Sequence, residues 1–132
     1  MIVRLYDNHY EVRNFLGISM RVMVIEDMFA HKLCALLDRR EIASRDIFDC
    51  WFFLSKGTSV NKTIVETRMG EPLKEYLGRC AATVRRVSVK SLAQGLGELI
   101  GADMKLFVKS GLKTELISLL KTFAEFPIIK DR

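Results

Sequence analysis

The densest apolar part of the chain, residues 26–57, also carries charged side chains at helical spacings. It reads EDMFAHKLCALLDRREIASRDIFDCWFFLSKG. Apolar residues that recur three and four positions apart indicate two amphipathic helices, joined here by a short connection. A hydrophobic core does not by itself require charges among such residues, yet this stretch contains Lys32, Arg39, Arg45, Asp46 and Asp49. The two helices therefore constrain both the fold and the place of any functional site.

The first of these helices is predicted to begin at Asp27, which can act as an N-cap, and to end near Arg39, where a cation suits the helix dipole. Its apolar stripe consists of Phe29, Leu33, Leu36 and Leu37. Lys32 and Arg39 lie one above the other along the border of that stripe, since seven residues make about two turns. This helix therefore places two cations at the edge of its buried face.

The second helix is predicted over residues 44–57. Asp46 and Asp49 are three positions apart, so both carboxylates project from one face, and Arg45 can pair with Asp49 four positions on. Because the connection between the helices is short, we expect the two helices to lie in contact. That contact would bring Lys32 near both carboxylates.

Before these helices, alternating apolar and polar residues predict strands at 2–6, 10–13 and 18–25. Two or three strands bury little apolar surface alone, so they are either covered by the first helices or form the end of a larger sheet. The expected fold class is α+β: residues 1–25 form a short antiparallel β-sheet, and residues 26–132 form a mainly α-helical domain of five or six helices.

A later helix carries an apolar face opposite a basic side. The basic side and the end of this helix contain Arg79, Arg85, Arg86 and, further on, Lys90. Such a run could track the phosphate backbone of an RNA. The alternative is an ordinary solvated helix face, which the sequence alone favours. Both interpretations stay open at the level of the sequence.

Composition narrows the class of protein. The 132 residues suffice for one domain, and the net charge of +5 permits a polyanionic partner. We expect no membrane span, because no apolar run is long enough, and no exported protein, because the first residues show no signal-peptide pattern. The three cysteines are an odd number without Cys-x-x-Cys spacing. They predict reduced, mostly buried thiols and a cytoplasmic location.

Only one group of side chains is a strong candidate for chemistry. Lys32, Asp46 and Asp49 could form a structural ion-pair cluster, since charge pairs on helix surfaces are common. They could also converge on a phosphate-bearing substrate, where a lysine binds phosphate oxygens and carboxylates hold Mg²⁺ or orient a hydroxyl. The residue types and spacing alone favour the structural interpretation.

Other candidates carry less. His31 is interpreted as a partly exposed helix histidine, and a zinc site built from it and the three cysteines lacks the usual ligand spacing. Trp51 and the neighbouring phenylalanines Phe48, Phe52 and Phe53 are interpreted as core residues rather than a base-stacking platform.

Residues 27–54 contain the pattern Asp-x-x-Ala-x-Lys-Leu-x-Ala-Leu-x-x-Arg followed by Arg-Asp-x-x-Asp-x-x-x-x-Leu. This paired pattern resembles the third and fourth motifs of the AbiEii/AbiGii-type nucleotidyltransferase toxins of bacterial abortive-infection and toxin–antitoxin systems. Residues 16–24 and 95–99 resemble less specific parts of the same family. The resemblance therefore extends over most of the chain.

The resemblance implies roles for particular residues. Lys32 would contact nucleotide phosphate, with Arg39 beside it in the nucleotide-binding part of the site. Asp46 would complete the catalytic site, and Asp49 would support it. The resemblance also implies Mg²⁺ and a nucleoside triphosphate as cofactors, tRNA as a possible acceptor, and a cognate antitoxin protein as a possible partner.

The sequence also departs from the family pattern. Members open with a Gly-Ser element and an Asp-x-Asp pair that bind nucleotide and two metal ions, and no Asp-x-Asp occurs in these 132 residues. We therefore expect a truncated nucleotidyltransferase-like fold that corresponds to the C-terminal portion of such an enzyme and is inactive without those elements. The alternative is a non-catalytic helical module that binds RNA or protein.

Overall fold

A computed structural model of the chain describes the backbone of residues 10–15 and 18–130 and the side chains of residues 24–130. The strand predicted at residues 2–6 lies outside this described part, as do Leu16 and Gly17 at the start of the segment 16–24. The boundary between two segments at residues 25 and 26 stays a prediction.

The predicted α+β class is wrong. Residues 24–130 are 78% helical and contain no strand. Ahead of the helices, the backbone of β1 (Tyr10–Phe15) pairs antiparallel with β2 (Ile18–Met23) in a single hairpin. Alternating residues favour an extended backbone but do not determine how many strands pair, and one hairpin does not make a sheet that forms a layer of the fold. The packing of helices defines the architecture.

Four helices form the first part of the described helical region. They are α1 (Ile25–Asp38), α2 (Ser44–Ser55), α3 (Lys62–Met69) and α4 (Leu73–Arg86). Gly57 follows α2 and Gly70 caps α3, both with a positive φ near 70° that suits glycine. The boundaries predicted for the second helix are thus close to those of α2.

The remaining helices are shorter, apart from the last. They are α5 (Val89–Leu96), a 3₁₀ turn (Gly97–Leu99), α6 (Ala102–Phe107), a π-helical turn (Val108–Leu112) and α7 (Lys113–Glu125). Two local signals in this region do not coincide with helix ends. Gly111 lies within the π-helical turn that joins α6 to α7, and Gly101 rather than Asp103 is the N-cap of α6.

The first helix also begins earlier than predicted. Its N-cap is Val24, and Asp27 lies inside the first turn, where it is fully buried. The Asp27 carboxylate instead accepts a hydrogen bond of 2.9 Å from the Asn61 side chain, and Asn61 in turn caps α3. The acidic residue therefore ties α1 to the start of α3 rather than capping its own helix.

The hydrophobic core is shared by all the longer helices. The buried face of α4 packs on α7, and the Phe29 ring of α1 lies between Phe53 and Phe123, with ring centroids 5.3 and 5.8 Å away. The predicted apolar face of α4 is confirmed, since each of its members is buried: Leu73, Tyr76, Leu77, Cys80, Ala81 and Val84. This core holds α1 and α2 side by side and so determines where their charged borders meet.

Candidate functional site

The charged borders of α1 and α2 meet because the two helices pack closely at that level. The Cys50 thiol of α2 donates a hydrogen bond of 3.4 Å to the backbone carbonyl of Lys32 in α1. Cys50 is fully buried, so this contact lies in the interface between the helices. The side chains that border the interface on one side are consequently brought together.

Lys32 lies between the two carboxylates of α2. Its Nζ atom is 2.8 Å from Asp49 Oδ2 and 4.0 Å from Asp46 Oδ1. The expected proximity of the three side chains is therefore observed. The Lys32 side chain keeps 29% of its surface exposed, so the ammonium lies at the rim of the interface, in reach of a ligand from solvent.

Two arginines complete this group, which we call the charge cluster: Lys32, Arg39, Arg45, Asp46 and Asp49. Arg39 Nε lies 3.8 Å from Asp46 Oδ2, and Arg45 Nε lies 3.9 Å from Asp49 Oδ2. The two arginine side chains are 64% and 68% exposed. Three cations therefore face two carboxylates, which leaves a surplus of one positive charge directed toward solvent.

Asp46 is the buried member of the charge cluster. Asp46 is 5% exposed, and its Oδ2 atom is buried with no hydrogen-bond partner. A buried carboxylate oxygen normally accepts hydrogen bonds, because desolvation is costly otherwise. Here the first turn of α2, with its free N–H groups and helix dipole, and the two nearby cations provide the compensating field. Asp46 Oδ2 thus has an unused capacity to accept a hydrogen bond, although it is closed to solvent in this arrangement.

The donor set does not fit Mg²⁺. This ion prefers an octahedral shell of oxygens that usually combines carboxylates with water and substrate phosphates. Across residues 24–130, no group of three or more His, Cys, Asp or Glu side chains could hold a metal ion. The Lys32 ammonium already lies 2.8 Å from Asp49 and would repel a divalent cation at that carboxylate. The charge cluster is suited to an anion instead.

The backbone of α1 just after Lys32 is held from a second side. The Tyr76 hydroxyl of α4 donates to the carbonyl of Leu33 at 2.6 Å and lies 3.1 Å from that of Cys34. Burial raises the pKa of Tyr76 far above its usual range, so this hydroxyl remains a donor. Together with the Cys50 hydrogen bond to the Lys32 carbonyl, this contact means that α2 and α4 both hold the turn of α1 that carries the ammonium.

The three cysteines are buried free thiols, as predicted. Burial raises the pKa of Cys34 to about 11 and that of Cys80 to about 12, and it raises the pKa of Cys50 well above the ordinary value. A thiol of raised pKa is a poor nucleophile and metal ligand. These side chains therefore serve packing.

His31 is half-buried and contacts Arg68 of α3. Its Nδ1 atom lies 3.0 Å from an Arg68 guanidinium nitrogen, and Arg68 also pairs with Asp38. This group links α1 to α3. Histidine 31 is thus the structural helix histidine that the sequence indicated.

The four predicted RNA-binding cations differ in their surroundings. Arg79 forms two hydrogen bonds with Glu71, at 2.6 and 3.1 Å, and this pairing raises its pKa. Arg85, Arg86 and Lys90 are exposed, and none of them pairs with an acidic side chain within residues 24–130. Only the last three are therefore free for a phosphate backbone.

One close approach near the charge cluster was missed at the level of the sequence. A Cβ atom added at Gly95 of α5 would lie 2.2 Å from Ser44 Oγ and 2.7 Å from Ser44 Cβ. Ser44 is the first residue of α2, so α5 packs directly against the N-terminal end of the helix that carries both aspartates. The glycine-rich stretch at 95–97 was the available signal.

Among known proteins, the family model described as nucleotidyl transferase AbiEii toxin, type IV TA system, matches residues 2–125. This range covers most of the chain, including the charge cluster and α5. No curated protein and no solved structure matches. None of the described helices is long and apolar enough to cross a membrane.

Proposed function

Because the chain belongs to the AbiEii nucleotidyl transferase toxin family of type IV toxin–antitoxin systems, we propose that its charge cluster binds the phosphates of a nucleoside triphosphate. The nucleotide would be transferred to an RNA acceptor, with tRNA as the candidate. Family membership also suggests a cognate antitoxin. Lys32 and Arg39 bind phosphate in this proposal, Asp46 completes the catalytic site, and Asp49 orients Lys32.

The observation that carries the proposal is the placement of the Lys32 ammonium. It is partly exposed, it lies 2.8 Å from one carboxylate and 4.0 Å from a second, and Arg39 and Arg45 flank it. A purely structural cluster would satisfy its buried carboxylate with hydrogen bonds, whereas Asp46 Oδ2 accepts none. The surplus positive charge is what a polyphosphate requires.

Each side chain then has a definite task. Lys32 and Arg39 neutralise phosphate charge, and positioning plus electrostatic stabilisation supply most of the catalysis in phosphoryl and nucleotidyl transfer. Asp49 holds the ammonium in place through the 2.8 Å contact. Asp46 holds Lys32 and Arg39 through contacts of 4.0 and 3.8 Å.

The chain does not provide the metal-binding part of a two-metal site. No Asp-x-Asp occurs in its sequence, and the charge cluster repels a divalent cation. We propose that Mg²⁺ is bound by Gly-Ser and Asp-x-Asp elements outside these residues, and that the chain is inactive in transfer without them.

The test is nucleotide transfer by an enzyme in which this chain is joined to those elements. Labelled nucleoside triphosphate and tRNA would be the substrates. We expect Lys32→Ala and Asp46→Ala each to lower incorporation at least 100-fold while the far-ultraviolet circular dichroism is unchanged. Lys74→Ala is the matched control, because Lys74 also pairs with a carboxylate, that of Glu125 at 3.3 Å, but lies outside the charge cluster.

Two results would contradict the proposal. Full transfer by Lys32→Ala would show that the ammonium does not act on phosphate. Unfolding of Asp46→Ala would instead show that the charge cluster is a structural ion-pair group.

A second candidate function is a non-catalytic module that binds RNA. It is favoured by the exposed Arg85, Arg86 and Lys90, which lack acidic partners among the described side chains. Affinity for tRNA should then fall steeply with salt, and replacing the three cations with serine should reduce the salt slope by two to three. Unchanged tRNA binding in this triple variant would show that these three cations do not form an RNA-binding surface.

A further inference from the structure

A cleft of about 130 Å³ lies beside the charge cluster. Its walls come from α2 on one side and from the end of α5 and the following turn on the other. The lining residues are Arg45, Phe48, Asp49, Leu96, Leu99 and Ile100. Asp49 and Arg45 therefore belong both to this cleft and to the charge cluster.

The close packing of α5 on α2 creates the cleft. Gly95 lets α5 approach Ser44 at the start of α2. Gly97 then caps α5 with a φ of +45°, a conformation that side chains other than glycine rarely adopt. The chain consequently turns back toward α2 and places Leu99 and Ile100 opposite Phe48.

The side chains of the cleft match a flat heteroaromatic ring. Phe48, Leu96, Leu99 and Ile100 supply apolar surface, while Arg45 and Asp49 supply a donor group and an acceptor group at one edge. The Phe48 ring is held by Trp51, with ring centroids 5.5 Å apart. Leu99 is 64% exposed, although the side chains around it are apolar. Small-molecule sites commonly combine an apolar wall, an aromatic ring and a few polar groups in this way.

We propose that this cleft binds the nucleobase of the nucleotide whose phosphates contact Lys32. The inference rests on the proposed function, because it takes the charge cluster as the phosphate site. Asp49 lines the cleft and contacts Lys32 at 2.8 Å, so base and phosphate subsites adjoin within the reach of a single mononucleotide. The base at the end of an RNA strand shares this chemistry, and the experiment separates the two sources.

The experiment measures binding to the chain as it stands, without added metal, by calorimetry and by the fluorescence of its single tryptophan, Trp51. The ligands are the four ribonucleoside triphosphates, inorganic tripolyphosphate, and a short single-stranded RNA without a terminal phosphate. We expect at least one nucleoside triphosphate to bind more tightly than tripolyphosphate. Leu99→Ser should weaken that binding about tenfold and leave the affinity for tripolyphosphate unchanged.

The control is Leu106→Ser, because Leu106 is an equally exposed leucine, at 70%, on α6 outside the cleft. It should leave all affinities unchanged. Leu99 is exposed, so its replacement should not disturb the core. Phe48→Leu provides a second variant, which removes the aromatic ring and keeps an apolar side chain.

The outcomes separate the two proposals. If nucleotide affinity depends on Leu99 and Phe48, the cleft is supported. If Lys32→Met leaves that affinity unchanged, the proposed phosphate site is overturned. Equal affinity for nucleotide and tripolyphosphate, unaffected by Leu99→Ser, overturns the cleft and leaves the phosphate site standing. A Leu99 effect on RNA but not on any mononucleotide also overturns the proposal, as does the absence of any nucleotide binding.

Discussion

The pair α1–α2 and the pair α4–α7 are built by the same helix packing but differ in what they bury. The buried side of α4, which packs on α7, is apolar apart from the Tyr76 hydroxyl, and that hydroxyl is hydrogen-bonded to α1. In α1 and α2, by contrast, three charged residues are buried: Glu26, Asp27 and Asp46. Within residues 62–130 no charged residue is buried.

The difference separates stability from function. Burial of a charged group usually lowers stability unless partners compensate it, so a chain selected for stability alone would make both pairs apolar. Asp27 is compensated by Asn61, which serves the fold. Asp46 keeps an oxygen without a hydrogen-bond partner beside two cations, Lys32 and Arg39, which the fold alone does not require. The predictions below test this separation, from the largest expected effect to the smallest.

The largest effect on stability should come from the α4–α7 pair. Leu77 of α4 is fully buried. Leu77→Ala should lower the free energy of unfolding by about 2–5 kcal/mol, since it removes apolar contacts and leaves a cavity. Urea denaturation measures this change, with Leu106→Ala on the exposed side of α6 as the control. A loss below about 1 kcal/mol would mean that this pair is not the stable part of the molecule.

The thiols at the junction of the two pairs should make stability fall at alkaline pH. Burial raises the pKa of Cys34 from 9.0 to about 11. Below pH 9 the thiol is protonated in both states and its contribution to stability is complete. Between pH 9 and 11 this thiol ionises in the unfolded chain before it ionises in the folded one. The free energy of unfolding should therefore fall by about 2–3 kcal/mol across this range.

The measurement is the free energy of unfolding in urea at intervals from pH 8 to 10.5. The variant Cys34→Ala should show a shallower decline than the unmodified chain. Parallel curves for the two proteins would contradict burial of this thiol.

Disturbing the contact between α5 and α2 should lower stability by a smaller amount. Whether a glycine-to-alanine change raises or lowers stability shows whether the glycine lies in a close contact. Gly95→Ala places a methyl group against Ser44 and should destabilise by about 1–3 kcal/mol. Gly78→Ala in the exposed side of α4 meets nothing within 4 Å and should stabilise by about 0.5–1 kcal/mol. Thermal unfolding of the two variants gives both values. Equal effects of the two substitutions would exclude the close approach.

The smallest effect on stability should come from the charge cluster itself. Asp46→Asn keeps the shape of the side chain, and the cations it leaves behind are partly or largely exposed, with Lys32 still paired to Asp49. We expect a change within about 1 kcal/mol in the same urea experiment. A loss above 3 kcal/mol would assign Asp46 to the fold and remove the contrast between the two helix pairs.

The sequence supported the helical part of this account because its signals are local. Apolar spacing located the buried face of α4, and the positions of Lys32, Asp46 and Asp49 on their helices followed from the period of the helix. The α+β class failed because alternation reports on the backbone conformation, while pairing into a sheet depends on contacts between distant segments.

Other features depended on tertiary contacts and were out of reach. Asp27 looked like a cap but bonds to Asn61, which lies 34 residues away in the sequence. Gly111 does not end a helix but lies within a π-helical turn, where an added Cβ atom would be 3.2 Å from the Phe107 ring. The cleft arises from two segments some fifty residues apart, so only coordinates could bring Phe48 and Leu99 together.

The most direct test of the central claim is the affinity of the chain for tripolyphosphate in its Lys32→Met and Lys74→Met variants. Both changes remove one ammonium that pairs with a carboxylate, but only Lys32 belongs to the charge cluster. If the cluster is a phosphate site, Lys32→Met should weaken binding at least tenfold and Lys74→Met should have no effect beyond general electrostatics. Equal affinities of the two variants would contradict the claim.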